Sequence, residues 1–276
     1  MTSLFSSKRL RWLAALIVIF NGAAPAVWIL FTSLKGEAEL TQLPITYLPH
    51  APTLDNFVAA FRDQPLLTFL LNSAMVAGLS TVSSLFVSTL AAYAIARLNL
   101  RYRKIILTGI IAVSMFPLVT LMVPLFEIMR SLRLLNSYWA LVLPYTVLNL
   151  PICTLMLVSF FQDIPRDLEN AAMLDGCTRL GALWGIVIPL SAPGVFTAGI
   201  LAFVNAWDEF LLALSMNSAV AWRTLPVGIQ MYQGEFSFPW PIISAALVVA
   251  LVPVLILVMV FQEKVVSGLT AGGLKG

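Results

Sequence analysis

Charge is what this 276-residue chain has least of: Asp, Glu, Lys and Arg together supply 11% of it, against about 25% in an average soluble domain. Histidine occurs once, at His50, and cysteine twice, at Cys153 and Cys177. Cys153 lies in an apolar run and Cys177 in a polar segment, so the two read as free thiols without a disulfide framework or metal-ligand spacing. A single histidine in a proline-rich stretch reads as a surface residue. An intramembrane enzyme needs paired catalytic groups or ligands facing each other, and these residues supply neither. No polar block approaches the ~50 residues of a small soluble domain. The net charge of +3 is too small to point to nucleic acid.

Where charge is missing altogether, the chain is long and apolar. Residues 12–34, 65–96, 105–126, 134–162, 180–207 and 236–262 contain no Asp, Glu, Lys, Arg or His, and each run has at least 22 residues. A bilayer core of about 30 Å needs roughly 20 residues of helix, which rises about 1.5 Å per residue. The expectation is an all-α polytopic membrane protein forming one transmembrane domain over residues 1–276. Its six spans are expected near 12–34, 66–96, 105–127, 139–161, 193–215 and 241–263. The basic Lys8, Arg9 and Arg11, followed by Ala24-Pro25-Ala26, have the outline of a signal peptide. Yet the apolar run resumes at Val27-Trp28-Ile29-Leu30-Phe31, which makes it long enough to span, as an uncleaved first helix.

The basic residues orient the bundle, because Lys and Arg accumulate on the cytoplasmic side. With the N-terminus inside, eleven of the sixteen fall inside, at Lys8, Arg9, Arg11, Arg97, Arg101, Arg103, Lys104, Arg166, Arg179, Lys264 and Lys275. Lys35, Arg62, Arg130, Arg133 and Arg223 fall outside. Both termini are therefore expected in the cytoplasm. In the first outer segment Asp55 to Phe61 reads as a short amphipathic helix on the membrane surface.

One inner segment, 163–192, has local organisation. Pro165 suits a first helical turn, Glu169, Ala171, Ala172 and Leu174 form helix adequately, and Gly176 falls at a stop. Thr178 can cap a second short helix through Leu183 and Trp184, ended by Pro189. Helix, glycine turn, helix makes a lever whose side bearing Leu168, Ala171 and Ala172 is small and apolar enough to enter a partner's groove.

The run Glu169-Asn170-Ala171-Ala172-Met173-Leu174-Asp175-Gly176, then nine residues and Ile186-Val187-Ile188-Pro189, resembles the EAA loop of permease subunits of binding-protein-dependent ABC importers. The family's spacing is complete; Asn170 stands in the acid slot with Glu169 one place earlier, and Ile188 replaces leucine. Residues 91–98, Ala-Ala-Tyr-Ala-Ile-Ala-Arg-Leu, and the glycine-rich close at 268–276 are similar to the maltose-type carbohydrate permeases. The resemblance implies a bacterial inner-membrane, multi-pass subunit that imports a carbohydrate, a di- or oligosaccharide, by alternating access. It also implies that Leu168, Glu169, Asn170, Ala171, Ala172, Asp175, Gly176 and Pro189 couple the chain to an ATPase. The implied partners are a second permease, a dimer of ATPase subunits and an extracytoplasmic solute-binding protein. Gly268 and Gly273 are spaced as in a phosphate-binding loop, but Leu274 stands where lysine is required. No cofactor is expected on this chain: ATP and magnesium belong to the separate subunit, and the chain is not itself an enzyme.

Asn205, Trp207, Asp208 and Glu209 are the polar and aromatic residues expected deep in the fifth span. A carboxylate at bilayer depth costs ~2.5 kcal/mol or more, so it faces protein or water. These four line a solute path, with Trp207 as a stacking surface for a sugar ring; or the span ends early and the acids lie at the outer interface; or they pair with a base of the partner. Asn72, Ser73 and Asn149 read more simply as bonds to a neighbouring helix. A different class, an ion-coupled secondary carrier, predicts an internal repeat and ionisable groups on several helices, and a permease for glycerol-phosphate-type solutes is the alternative within the first class.

Overall fold

The computed structural model describes residues 8–234 and 237–273, and among them every regular element is helical. In chain order these are α1 (Lys8–Ser33), α2 (Glu37–Leu40), α3 (Asp55–Asp63), α4 (Leu66–Arg97), α5 (Arg103–Ser114), α6 (Leu118–Ser131) and α7 (Trp139–Asp163). There follow α8 (Arg166–Leu174), α9 (Arg179–Ala182), a π-helical turn (Leu183–Val187), α10 (Ile188–Leu190), α11 (Ala192–Asp208), α12 (Leu211–Met216), α13 (Leu225–Gln230) and α14 (Trp240–Gly273). Among the described residues four stretches are long and apolar enough to cross a membrane singly, Leu10–Ser33, Leu66–Arg97, Trp139–Asp163 and Trp240–Gln262, and the number is six if each of two bent pairs is one span.

Both bent pairs differ from the uniform spans expected from composition. α5 and α6 meet at 91° across Met115, Phe116 and Pro117. Pro117 is extended (φ −63°, ψ 128°) at the start of α6. It has no N–H to continue the ladder, and it disfavours helix in the residue before it. The second pair, Arg179–Leu190 and Ala192–Asp208, is bent by 82°. Here Pro189 does not end the second short helix as expected: the backbone passes through it to Leu190, after a π turn over Leu183–Val187. A π turn re-spaces the backbone bonds where a proline withholds its own. Gly268 and Gly273 both lie inside α14, while residues 274–276 of the glycine-rich close lie outside the described residues.

The chain forms two compact units. One comprises the chain through Leu67 together with Gly228–Pro253. Its centre is Lys35, 2% exposed, whose ammonium donates to the Thr46 carbonyl and lies 5.3 Å from the centre of the Trp28 ring. Asn56 donates to the carbonyls of Ser33 and Lys35 at 2.8 Å each, tying α3 to the end of α1. Glu39 accepts from the Thr46 hydroxyl at 2.8 Å and from the backbone N–H of His50 at 3.1 Å. The Tyr232 hydroxyl donates to the Ala60 carbonyl; burial, with the Asp63 charge, pushes it up to about 12, so it stays a donor at any ordinary pH.

The other unit, Thr68–Val227 with the chain from Val254, holds the main core. Ser80, Ser84 and Ser88 form a fully buried stripe of small residues on α4, spaced to let two helix backbones approach. Ser84 and Ser88 donate to the Thr146 and Leu150 carbonyls of α7 at 3.2 and 3.4 Å. On α11, Gly194 and Gly199 serve the same purpose, since a Cβ on Gly194 would lie 2.3 Å from the ring of Phe160. At the end of α4, Ala92, Tyr93, Ile95 and Ala96 pack with Leu157 and Phe161 of α7 and with Leu183 and Val187 of the π turn.

Candidate functional site

The segment from Pro165 to Thr178 takes the form its residues dictate. Pro165 stands just before α8 with extended backbone (φ −57°, ψ 130°), and Asp167 and Glu169 fall in the first turn, where carboxylates complement the helix dipole. At the other end Gly176 adopts φ 89°. Its N–H bonds the Met173 carbonyl at 3.1 Å, and the Cys177 N–H bonds that of Ala172 at 3.0 Å. These two bonds form a Schellman close, which satisfies carbonyls that the helix end would otherwise orphan. The Thr178 hydroxyl then accepts from the Gly181 N–H at 3.1 Å and starts α9. The Cys177 thiol is half-buried and free, and Cys153 is free and buried in α7.

The two sides of α8 have different chemistry. Leu168, Asn170, Ala171, Leu174, Asp175 and Gly176 are exposed, Leu174 by 89%, and Ala172 is half-buried. Glu169 faces inward. It accepts a hydrogen bond from the Tyr93 hydroxyl and forms an ion pair with Arg97, Nε to Oε2 at 3.3 Å, which is close but not aligned as a hydrogen bond. The two charged side chains are 3% and 9% exposed. Arg97 also donates to the Ile164 carbonyl at 3.0 Å, and Arg166 to that of Ala96 at 3.4 Å. A cavity of about 350 Å³ opens beside them, lined by Arg97, Arg166, Glu169, Asn170 and Arg179 among others. Sequence reasoning placed Tyr93 and Arg97 in the 91–98 segment and counted Arg97 among the inner charges, but missed their pairing with Glu169. Their i, i+4 spacing puts both on one face of α4, yet nothing local shows that a carboxylate from α8 meets them.

The four residues expected on a solute path part company at the end of α11. Asn205 and Asp208 are exposed one turn apart. Trp207 is 3% exposed, its ring stacked on Phe203 with centroids 5.5 Å apart. Phe203 thus covers one face of the indole, and little of the ring is open in this chain. Glu209 is half-buried and accepts from the Tyr145 hydroxyl, from the Leu212 N–H at 2.9 Å and from the Ala213 N–H at 3.1 Å. It caps α12 across the break that follows Asp208. Asn205 donates to Asn149 at 3.2 Å, and Asn149 in turn to the Ala202 carbonyl at 3.4 Å. Asn72 donates to the carbonyls of Ala221 and Arg223 at 2.9 Å each and accepts from Tyr138, and Ser73 accepts from the Leu225 N–H at 2.8 Å. Among the described residues no group of three His, Cys, Asp or Glu could hold a metal ion.

Residues 84–270 match the model of the binding-protein-dependent transport system inner membrane component. The chain is 73% identical, over all of its length and 97% of the relative's, to the sulfoquinovosyl glycerol transport system permease protein SmoH of Agrobacterium fabrum. It is 37% identical to the trehalose/maltose transport system permease protein MalG of Thermococcus litoralis, over 96% of this chain and 94% of that one. In structure it superposes, with a TM-score of 0.79 and 22% identity over 95% of this chain and 99% of the other, on a chain from a bacterial ABC transporter involved in the import of the acidic polysaccharide alginate. A helical chain with apolar helices of membrane-spanning length, carrying the glycine-closed segment at the family's spacing, belongs with the inner membrane components of binding-protein-dependent transport systems, as an ABC transport permease.

Proposed function

We propose that this chain is one transmembrane half of an ATP-driven importer for a carbohydrate glycoside, with sulfoquinovosyl glycerol as the first candidate solute. The observation that carries the machine is α8 with its Gly176 close, because it presents Leu168, Ala171 and Leu174 to solvent. An apolar helix face left in water loses roughly 25 cal/mol for each Å² that a partner could cover, and its shape suits a groove on an ATPase subunit. The observation that favours the solute is the 73% identity to a sulfoquinovosyl glycerol permease along the whole chain. Asn205 and Asp208 offer acceptors and a donor for sugar hydroxyls. The Asp208 carboxylate would repel a sulfonate, so the sulfonate of such a solute is expected to bind away from it.

In this reading both termini and α8 face the cytoplasm, a second permease completes the pore, and two ATPase subunits receive α8 and its counterpart. A solute-binding protein delivers cargo from the far side. Nucleotide-driven closure of the ATPases draws the two levers together and turns the bundle outward, and hydrolysis returns it; ATP and magnesium stay on the ATPases. Leu168, Asn170, Ala171, Ala172 and Asp175 form the docking face, Gly176 sets its direction and Pro189 lies in the return to the bundle.

Purifying the tagged chain from native membranes tests the assembly: a second permease and an ATPase subunit are expected with it. Uptake of labelled sulfoquinovosyl glycerol, against trehalose and maltose as competitors, tests the solute. Uptake that is indifferent to deletion of this chain would overturn the reading.

A further inference from the structure

We infer that α4 is a rigid connecting rod, fixed at one end to the α8 lever by Tyr93, Arg97 and Glu169 and at the other to the 221–225 segment by Asn72 and Ser73. The inference rests on the coupling reading of α8 and adds the route by which a push on that helix leaves it.

At the lever end the joint is buried and charged. Glu169 takes the Tyr93 hydroxyl and the Arg97 guanidinium, and Arg97 also reaches the Ile164 carbonyl just ahead of α8. A buried ion pair fixes geometry strongly, because separating its members leaves each charge unpaired in a poor solvent. Ala92, Ala96 and Ile95 close the apolar contact around it against Leu183 and Val187. The lever is thereby held from both of its helices, since Tyr93 also lies 3.1 Å from the Arg179 carbonyl that opens α9. Glu169 is committed to this joint, which leaves Asn170 and the exposed apolar residues to meet a partner.

Between the joints α4 is unbroken: it has no internal proline, unlike α1, α6, α7 and α14. From Asn72 to Arg97 a straight helix reaches roughly 37 Å. At the far end Asn72 holds two carbonyls, of Ala221 and Arg223, and is itself held by Tyr138, while Ser73 holds the N–H of Leu225. Asn72, Ser73 and Leu225 are all 3% exposed or less. Three backbone groups of that short segment, the Ala221 and Arg223 carbonyls and the Leu225 N–H, are thus tied to α4. A displacement of α8 therefore arrives at 221–225, on the opposite side of the bilayer in the proposed topology, where the loaded binding protein must be sensed.

The test uses the assembled transporter in lipid nanodiscs, with Cys153 and Cys177 replaced by alanine and nitroxide labels at the exposed Val82 on α4 and Leu180 on α9. The label distance is expected to be the same without nucleotide and with bound ATP, although the transporter changes state. In Glu169→Gln, which keeps a partner for Tyr93 but removes the ion pair, the distance becomes nucleotide-dependent, and uptake per ATP hydrolysed falls several-fold with the ATPase subunit still bound. In Asn72→Ala the ratio of hydrolysis with loaded binding protein to hydrolysis without it falls several-fold. A wild-type distance that shifts with nucleotide overturns the rod, whether or not the variants assemble; so does Glu169→Gln with wild-type uptake per ATP. A wild-type complex that never retains an ATPase subunit instead defeats the coupling reading itself.

Discussion

Gly176 is the residue at which sequence and geometry agree most closely. Its φ of 89° is a conformation that costs a residue with a Cβ roughly 1–2 kcal/mol, and nothing lies within 4 Å of a Cβ built there. Strain alone, without a clash, distinguishes the substitutions. Gly176→Val is expected to insert and assemble normally yet lose uptake, because the chain leaves α8 in another direction. Gly176→Asn, which tolerates the left-handed region, keeps most of it, and equal uptake in the two variants would refute the argument. The acids at the end of α11 separate in the same way. Glu209→Ala removes the partner of two backbone N–H groups and of Tyr145, and is expected to lower thermal stability by about 0.5–2 kcal/mol. Asp208→Asn, at an exposed position, leaves the melting temperature alone and lowers uptake; a scan of detergent-solubilised protein beside a transport assay checks both. The motif made Gly176 legible because its type and offset are local. Glu209's role depends on a helix break, and Glu169's on a partner far away in sequence, so neither could be read from composition.

Helices were legible by their length and apolarity, and their interruptions were not. Charge-free runs mark where a helix is long enough to span, but Pro117 and Pro189 are both prolines in apolar stretches, and only tertiary packing decides their effect. Pro117 lies in a 91° turn between helices, while Pro189 is carried inside a helix after a π turn and the 82° bend follows it at Ser191. Packing between elements gives the prediction proper to this scale. Gly194→Ala would set its Cβ 2.3 Å from Phe160, whereas Gly78→Ala on α4 meets nothing within 4 Å. Overpacking of this kind costs about 1–3 kcal/mol, so Gly194→Ala is expected to melt well below wild type and Gly78→Ala close to it. Pairing Gly194→Ala with Phe160→Leu, which removes the ring, is expected to recover part of the loss. A lack of any recovery would mean that the α7–α11 contact is not what limits the variant.

For the whole molecule, the distribution of Lys and Arg makes a claim that no single helix makes. Eleven of the sixteen are assigned to one side, and in the proposed orientation Tyr93, Arg97, Glu169 and the Gly176 close all lie on it. The exposed apolar residues of α8 then face the aqueous compartment that holds ATP, and the joint of Asn72 and Ser73 with 221–225 faces the one that holds the solute. Reversed, the docking face would meet no ATPase, and the inside-positive bias would be violated at several loops at once. Reporter fusions placed after Lys104 and after Asp175 are therefore expected to read cytoplasmic, and fusions near Asp55 and Asn217 external. The bent pairs make this more than a count of hydrophobic runs. If α5 with α6 did not cross, positions 55 and 175 would report the same side; if α9 to α11 turned back, 175 and 217 would. A shared signal at either pair of positions removes the corresponding crossing, and an external signal at Asp175 removes the ATPase from reach of α8.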